Sequence, residues 1–172
     1  CFILVFSAAR AEHHEDAPVT IVIHGGAGAL APGRYSPAEE AAFKQKLNEA
    51  LNAGYAILEN GGASLDAVEA ALVIMEDAPM FNAGKGAVFT RDGKNELDAS
   101  IMDGKTLNAG AVAGVTKVKN PMKLARAVMD NSEHVMFARK GAEKFAKAQG
   151  LEMVHPKYFR TEHRWKAYKA AL

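Results

Sequence analysis

Apolar positions along the chain change their spacing from one stretch to the next. Val19-Thr20-Ile21-Val22-Ile23 is a short β-branched run bounded by Pro18 and by glycines, and it predicts a buried strand. The glycine-rich turn His24-Gly25-Gly26-Ala27-Gly28-Ala29 follows. Ser36-Pro37-Ala38-Glu39 is a helix start: serine to cap, proline at the first helical position, glutamate to close a capping box. Phe43, Leu47, Leu51, Gly54 and Leu58 then recur at helical spacing until Asn60-Gly61-Gly62 stops the pattern. A second helix is expected from Ser64, with Leu65, Val68, Leu72 and Met75 as its buried stripe and Pro79 as its end. Ala87–Thr90 and Glu96–Met102 flank Arg91-Asp92-Gly93-Lys94, and the Asp-Gly pair predicts a hairpin between them.

Asp103-Gly104-Lys105-Thr106 reads as a further turn, and the small-residue run Ala109–Val115 as a strand packed closely against helices. Asn120-Pro121 opens a helix with Leu124 and Val128 inside, His134–Ala138 is a short strand, and Ala142–Gln149 is a helix stopped by Gly150. Thr161–Leu172 is basic, helical in pattern and without a stop signal, which reads as an interrupted chain. Helices layered on a sheet place the fold in the α+β class.

Composition narrows the function classes. The 172 residues fit one domain, and 49% apolar with 24% charged residues is ordinary for a folded protein. Basic and acidic residues nearly cancel, at 21 against 20, and they are mixed, so no nucleic-acid partner is expected. No apolar run reaches the length of a membrane span, so no membrane partner is expected. Residues 1–11 run from an apolar block into Ala9-Arg10-Ala11 and read as a partial signal peptide, leaving 12–172 as the domain. A periplasmic or secreted location follows from that leader, and a cytoplasmic one without it. Cys1 falls inside the leader, so no disulfide or thiol chemistry is expected of the mature chain.

Gly26, Gly28 and Ala31 satisfy a relaxed G-x-G-x-x-A dinucleotide pattern after a strand. The next helix starts only near Ser36, too far on for its N-terminus to meet a pyrophosphate, so nucleotide binding is set aside. His24 at the strand end is read as a hydrogen-bonded structural residue rather than a base. His13-His14-Glu15-Asp16 is read as solvated leader rather than a chelating group. The stretch Pro79–Gly93 holds Asn82, several glycines and a passage from helix to strand. Such a loop can turn main-chain carbonyls toward a hard cation, or it can be an ordinary connection; composition alone leaves both open and favours the connection.

Motifs taken together, in order, carry a resemblance. Ile21–Gly28, Phe81–Thr90, Glu96–Gly104 and Ala109–Val115, with Asn120-Pro121 and His134-Val135-Met136, resemble the opening part of plant-type L-asparaginases, also called isoaspartyl (beta-aspartyl) peptidases. The resemblance implies an N-terminal-nucleophile hydrolase fold, the αββα four-layer sandwich, of which this α-subunit portion supplies half. It implies a precursor that cuts itself before a threonine. The freed threonine then attacks the side-chain amide of L-asparagine or the isoaspartyl bond of a dipeptide. No cofactor is implied beyond a structural Na+. The resemblance places Asn82 beside the nucleophile as a supporting residue, and the main-chain oxygens of Met75, Glu76, Ala78, Phe81, Ala83 and Lys85 in the sodium loop. It implies as partners the chain's own β subunit, giving an (αβ)2 dimer, and a small-molecule substrate.

The threonines at 20, 90, 106, 116 and 161 all lack the Thr-Val-Gly context of the family nucleophile, so no catalytic nucleophile is expected in this chain and activity alone is not expected. The alternative is a non-catalytic binding or scaffold relic of the same fold. Half a sandwich leaves strand edges and an apolar face uncovered, so the isolated chain is expected to be poorly soluble.

Overall fold

The computed structural model describes residues 19–26 and 33–172. The leader read over residues 1–11 and the middle of the glycine turn, residues 27–32, lie outside the described residues. The elements are α1 (Pro37–Glu59), α2 (Ser64–Asp77), β1 (Leu97–Met102), β2 (Ala109–Val115), α3 (Pro121–Asn131), β3 (Met136–Ala138), α4 (Arg139–Ala148) and α5 (Glu162–Ala171). Short 3-10 turns cover Gly84–Gly86 and Pro156–Phe159. The fold is a mixed α+β arrangement around a small three-stranded sheet, in the order β1-β2-β3. β1 and β2 run antiparallel with a bulge between Leu97 and Ala99; β2 and β3 run parallel, joined through α3.

Two apolar clusters organise the packing. The larger holds the inner face of the sheet against α3 and α4, with Leu97, Val112, Leu124, Val128 and Phe159 inside it. The smaller joins α1 to α2 and the loop after α2, through Ala50, Ala71, Met75 and Phe81. The capping box at the head of α1 forms as its sequence predicts: Ser36 Oγ accepts the Glu39 N–H at 3.3 Å, and Glu39 Oε2 accepts the Ser36 N–H at 2.8 Å.

The α1–α2 contact corrects one expectation. Val68 is 39% exposed, while Ala67 and Ala71 are buried. A Cβ added at Gly54 would stand 2.8 Å from the Ala67 carbonyl oxygen, so the two helix backbones approach through small residues. Reading the stripe by side-chain size therefore missed the alanine face beside it.

Two expected strands are not formed. Val19–Ile23 makes no ladder among the described residues. Ile21 lies against Gly54 and Ile23 packs into the smaller cluster, while Val22 is 85% exposed. Helices rather than strands flank this segment, so it keeps the alternation of a strand without a pairing partner. Ala87–Thr90 is likewise not a strand. The turn itself forms, with the Thr90 N–H on the Lys94 carbonyl at 2.7 Å. Carbonyls that a ladder would use are taken by a side chain instead: Asn95 Nδ2 donates to Ala87 and Val88 at 2.9 and 3.1 Å, while Arg164 Nε holds the carbonyl of Gly86 just before them at 2.7 Å.

Candidate functional site

The site is built on the loop between α2 and β1. Its first turn is closed by the Ala78 N–H, which donates to the Met75 carbonyl at 3.2 Å. Phe81 then drops into the smaller core and meets the Phe43 ring edge-on at 5.7 Å. That anchor fixes the loop's path and leaves the neighbouring Asn82 exposed. Asn82 Oδ1 accepts the Val88 N–H at 3.0 Å, which closes the loop on itself across six residues.

The main chain is folded tightly here. Gly84 has φ +46°, and a side chain on it would collide with the Glu76 carbonyl oxygen. A side chain on Gly86 would collide with the Phe81 carbonyl and lie 2.6 Å from that of Pro79. The carbonyl of Glu76 thus lies against Gly84, and those of Phe81 and Pro79 against Gly86; Glu76 and Phe81 are two of the six read from sequence. Of the others, Met75 and Ala83 each accept one N–H, from Ala78 and Gly86, and keep a second lone pair. Uncharged oxygens crowded on a glycine cradle suit a hard cation of low charge. Among the described residues no cluster of three His, Cys, Asp or Glu side chains could hold a metal, so any ion here would rest on main-chain oxygen. The Lys85 ammonium sits 5.4 Å above the Tyr158 ring, which gives its charge a partner of its own.

Glu76 joins the loop to the larger core. Its side chain is buried, at 5% exposure, and Oε1 accepts the Met122 N–H at 2.9 Å in the first turn of α3. That bond satisfies an otherwise open donor at a helix N-terminus, where Asn120 makes no side-chain cap. Burial pushes the Glu76 carboxyl up to about 7, against the lowering effect of the Met122 N–H. Its second oxygen, Oε2, is buried without a partner. Asp77 accepts Asn120 Nδ2 at 3.1 Å and the Tyr158 hydroxyl at 3.4 Å, tying the same junction to the turn at Pro156–Phe159.

The family model described as asparaginase matches residues 17–172. The chain belongs to the asparaginase family. Among curated relatives, it is 49% identical over 151 residues to the isoaspartyl peptidase of Salmonella typhimurium, covering 88% of this chain and 48% of that protein. It is 48% identical over 151 residues to the isoaspartyl peptidase of Escherichia coli, covering 88% and 47%. It is 45% identical over 154 residues to the plant-type L-asparaginase of Pyrococcus abyssi, covering 90% and 49%. The chain spans about half the length of the curated relatives it matches.

In this asparaginase-family chain, Asn82 and four of the six carbonyl residues fall on the connection after α2, while Met75 and Glu76 lie in the last turn of α2 itself. His24 Nδ1 accepts the Gly26 N–H at 3.2 Å, which accords with a structural histidine, and its neighbours Ile23 and Gly25 lie against the cluster that holds Phe81. Sequence reading named Glu76 for its carbonyl but not for its side chain, and it did not single out Asn95 or Arg164, the other two residues that hold the loop. Glu76 did carry a signal, since it lies four residues after Leu72 on the apolar side of α2 and is charged. Asn95 and Arg164 carried none: one follows a surface turn, and the other lies in a helix with no buried residue.

Proposed function

We propose that this chain is the α-subunit part of a self-processing hydrolase that cleaves the side-chain amide of L-asparagine and β-aspartyl dipeptides. The observation that carries this reading is the family match over residues 17–172, with relatives named isoaspartyl peptidase and plant-type L-asparaginase. The fold belonging to that reading is half of an αββα sandwich of the N-terminal-nucleophile type. The sheet supports it: α3 packs on one face, while Asp98, Ser100 and Met102 stand exposed on the other, where a second sheet would lie.

In this reading the nucleophile is a threonine on the β part, freed by cleavage of the precursor. Its α-amino group takes the hydroxyl proton, and its oxygen bonds to the amide carbon. Ammonia, or the amine of the dipeptide, leaves with a proton; water then breaks the ester and releases aspartate. Asn82 supports the nucleophile across the subunit boundary. Main-chain oxygens of Met75, Glu76, Ala78, Phe81, Ala83 and Lys85 would hold Na+. The partners are the β subunit, in an (αβ)2 dimer, and a small-molecule substrate. Without the β part the chain is inactive. A periplasmic or secreted location rests on the leader pattern of residues 1–11.

The test is the complete precursor, incubated until it splits and then given L-asparagine or β-Asp-Leu. Two fragments with release of ammonia or leucine are expected. An intact precursor that releases neither would sink the reading. The second reading is a binding or scaffold relic of the same fold. A sequenced gene with no Thr-Val-Gly threonine downstream would support it.

A further inference from the structure

Asn95 is a buried polar residue with 8% exposure, just beyond the turn that follows the loop. Its Nδ2 donates to two successive carbonyls, Ala87 at 2.9 Å and Val88 at 3.1 Å. The first belongs to the peptide unit that links Ala87 to Val88. The N–H of that same unit donates to Asn82 Oδ1 at 3.0 Å. One peptide plane is therefore gripped on both sides, by Asn95 at its oxygen and by Asn82 at its nitrogen. Because peptide N–H and C=O point in opposite directions, fixing the oxygen fixes the direction of the N–H. That N–H in turn holds the carboxamide oxygen of Asn82, which constrains where the two N–H donors on the same carboxamide can point.

We propose that Asn95 is a positioning residue: by clamping the Ala87–Val88 peptide it sets the orientation in which Asn82 presents its N–H donors at the active site. The inference rests on the hydrolase reading above for the site that Asn82 serves, and on the three hydrogen bonds for the clamp itself. Asn95 does not touch substrate. It acts through one peptide and one side chain. Its burial suits that task, because a hydrogen bond out of reach of water holds its geometry against competition. Arg164, on the adjacent Gly86 carbonyl, limits movement of the chain just before the clamped unit.

The experiment uses the full precursor and the variants Asn95→Ala, Asn82→Ala and the double variant, with two readouts. Hydrogen exchange at the Val88 N–H reports the clamp directly. Asn95→Ala is expected to speed that exchange about tenfold or more, as the bond to Asn82 loses its alignment. Steady-state hydrolysis of β-Asp-Leu reports the consequence. Asn95→Ala is expected to lower kcat about tenfold with KM changed less than about twofold. The double variant is expected to be no slower than Asn82→Ala alone, since Asn95 acts only through Asn82. Additive losses in the double variant would assign Asn95 a merely structural part. Unchanged Val88 exchange in an active precursor would overturn the clamp while leaving the hydrolase reading intact. An inactive parent with accelerated Val88 exchange in Asn95→Ala would do the reverse. Should Asn95→Ala fail to fold, Asn95→Ser, which keeps a shorter hydroxyl donor in the same place, carries the same readouts with smaller expected changes.

Discussion

Replacing Glu76 by glutamine separates the cost of burying a charge from the hydrogen bond that this side chain makes to α3. Glutamine keeps the shape and keeps an oxygen to accept the Met122 N–H, but it does not titrate. In the folded protein burial lifts the Glu76 carboxyl from 4.5 to about 7. The folded state therefore binds the proton more tightly than the unfolded chain. Its contribution to stability is full below pH 4.5 and is lost as pH rises through about 7. Each tenfold difference in proton affinity corresponds to about 1.4 kcal/mol. Between about pH 5 and about pH 8 the parent should thus lose about 2.5 kcal/mol that the glutamine variant does not. Urea unfolding of both proteins over that range, in choline buffer so that no alkali cation sits at the loop, measures the difference. Other titrating groups are common to both and cancel. The variant is expected to be the less stable at the acid end and to gain on the parent steadily toward pH 8. Parallel stability curves would refute the reasoning, because they would mean that the Glu76 carboxyl ionises in the fold as it does in the open chain.

Other outcomes follow from local geometry. Gly110→Ala places a methyl against the Ala125 carbonyl and 2.6 Å from the Met129 nitrogen, so β2 and α3 must part; a loss of about 1–3 kcal/mol in urea unfolding is expected, whereas Gly104→Ala, with open space around it, should change little. Ser36→Ala removes the cap of α1 and should cost about 1 kcal/mol, read from the same unfolding midpoint. If the carbonyl cradle binds Na+, replacing choline chloride by sodium chloride at equal ionic strength should raise Tm by about 2–4 °C, and no difference between the salts would count against the cradle as a cation site.

Much of the fold was legible because local signals agreed with tertiary ones. The Ser36–Glu39 box, the run Ala109–Val115 and the Asn120-Pro121 start all became the elements their residues promise. Leu124 and Val128 are fully buried as expected. What failed depended on partners distant in sequence. Nothing within Ala87–Thr90 says that Asn95 takes the carbonyls of Ala87 and Val88, and nothing within Val19–Ile23 says that it will lie without a pairing strand among the described residues. At the site, Asn82 and the carbonyl residues were reached through resemblance, and the loop's composition alone favoured an ordinary connection. The side chains that brace the loop come from α2, from beyond the turn and from α5, and periodicity has no means of bringing those segments together.

The loop after α2 occupies the seam where the two apolar clusters meet. Phe81 is sunk in one, while the Glu76 carboxyl is bonded into the helix that belongs to the other. The seam therefore behaves as a coupling joint. Anything that grips the loop draws on contacts from both sides, and its binding free energy is credited to their cohesion as well as to the loop's own order. Conversely, slippage between the α1–α2 hairpin and the sheet layer would be felt first at Asn82, before either cluster lost its own packing.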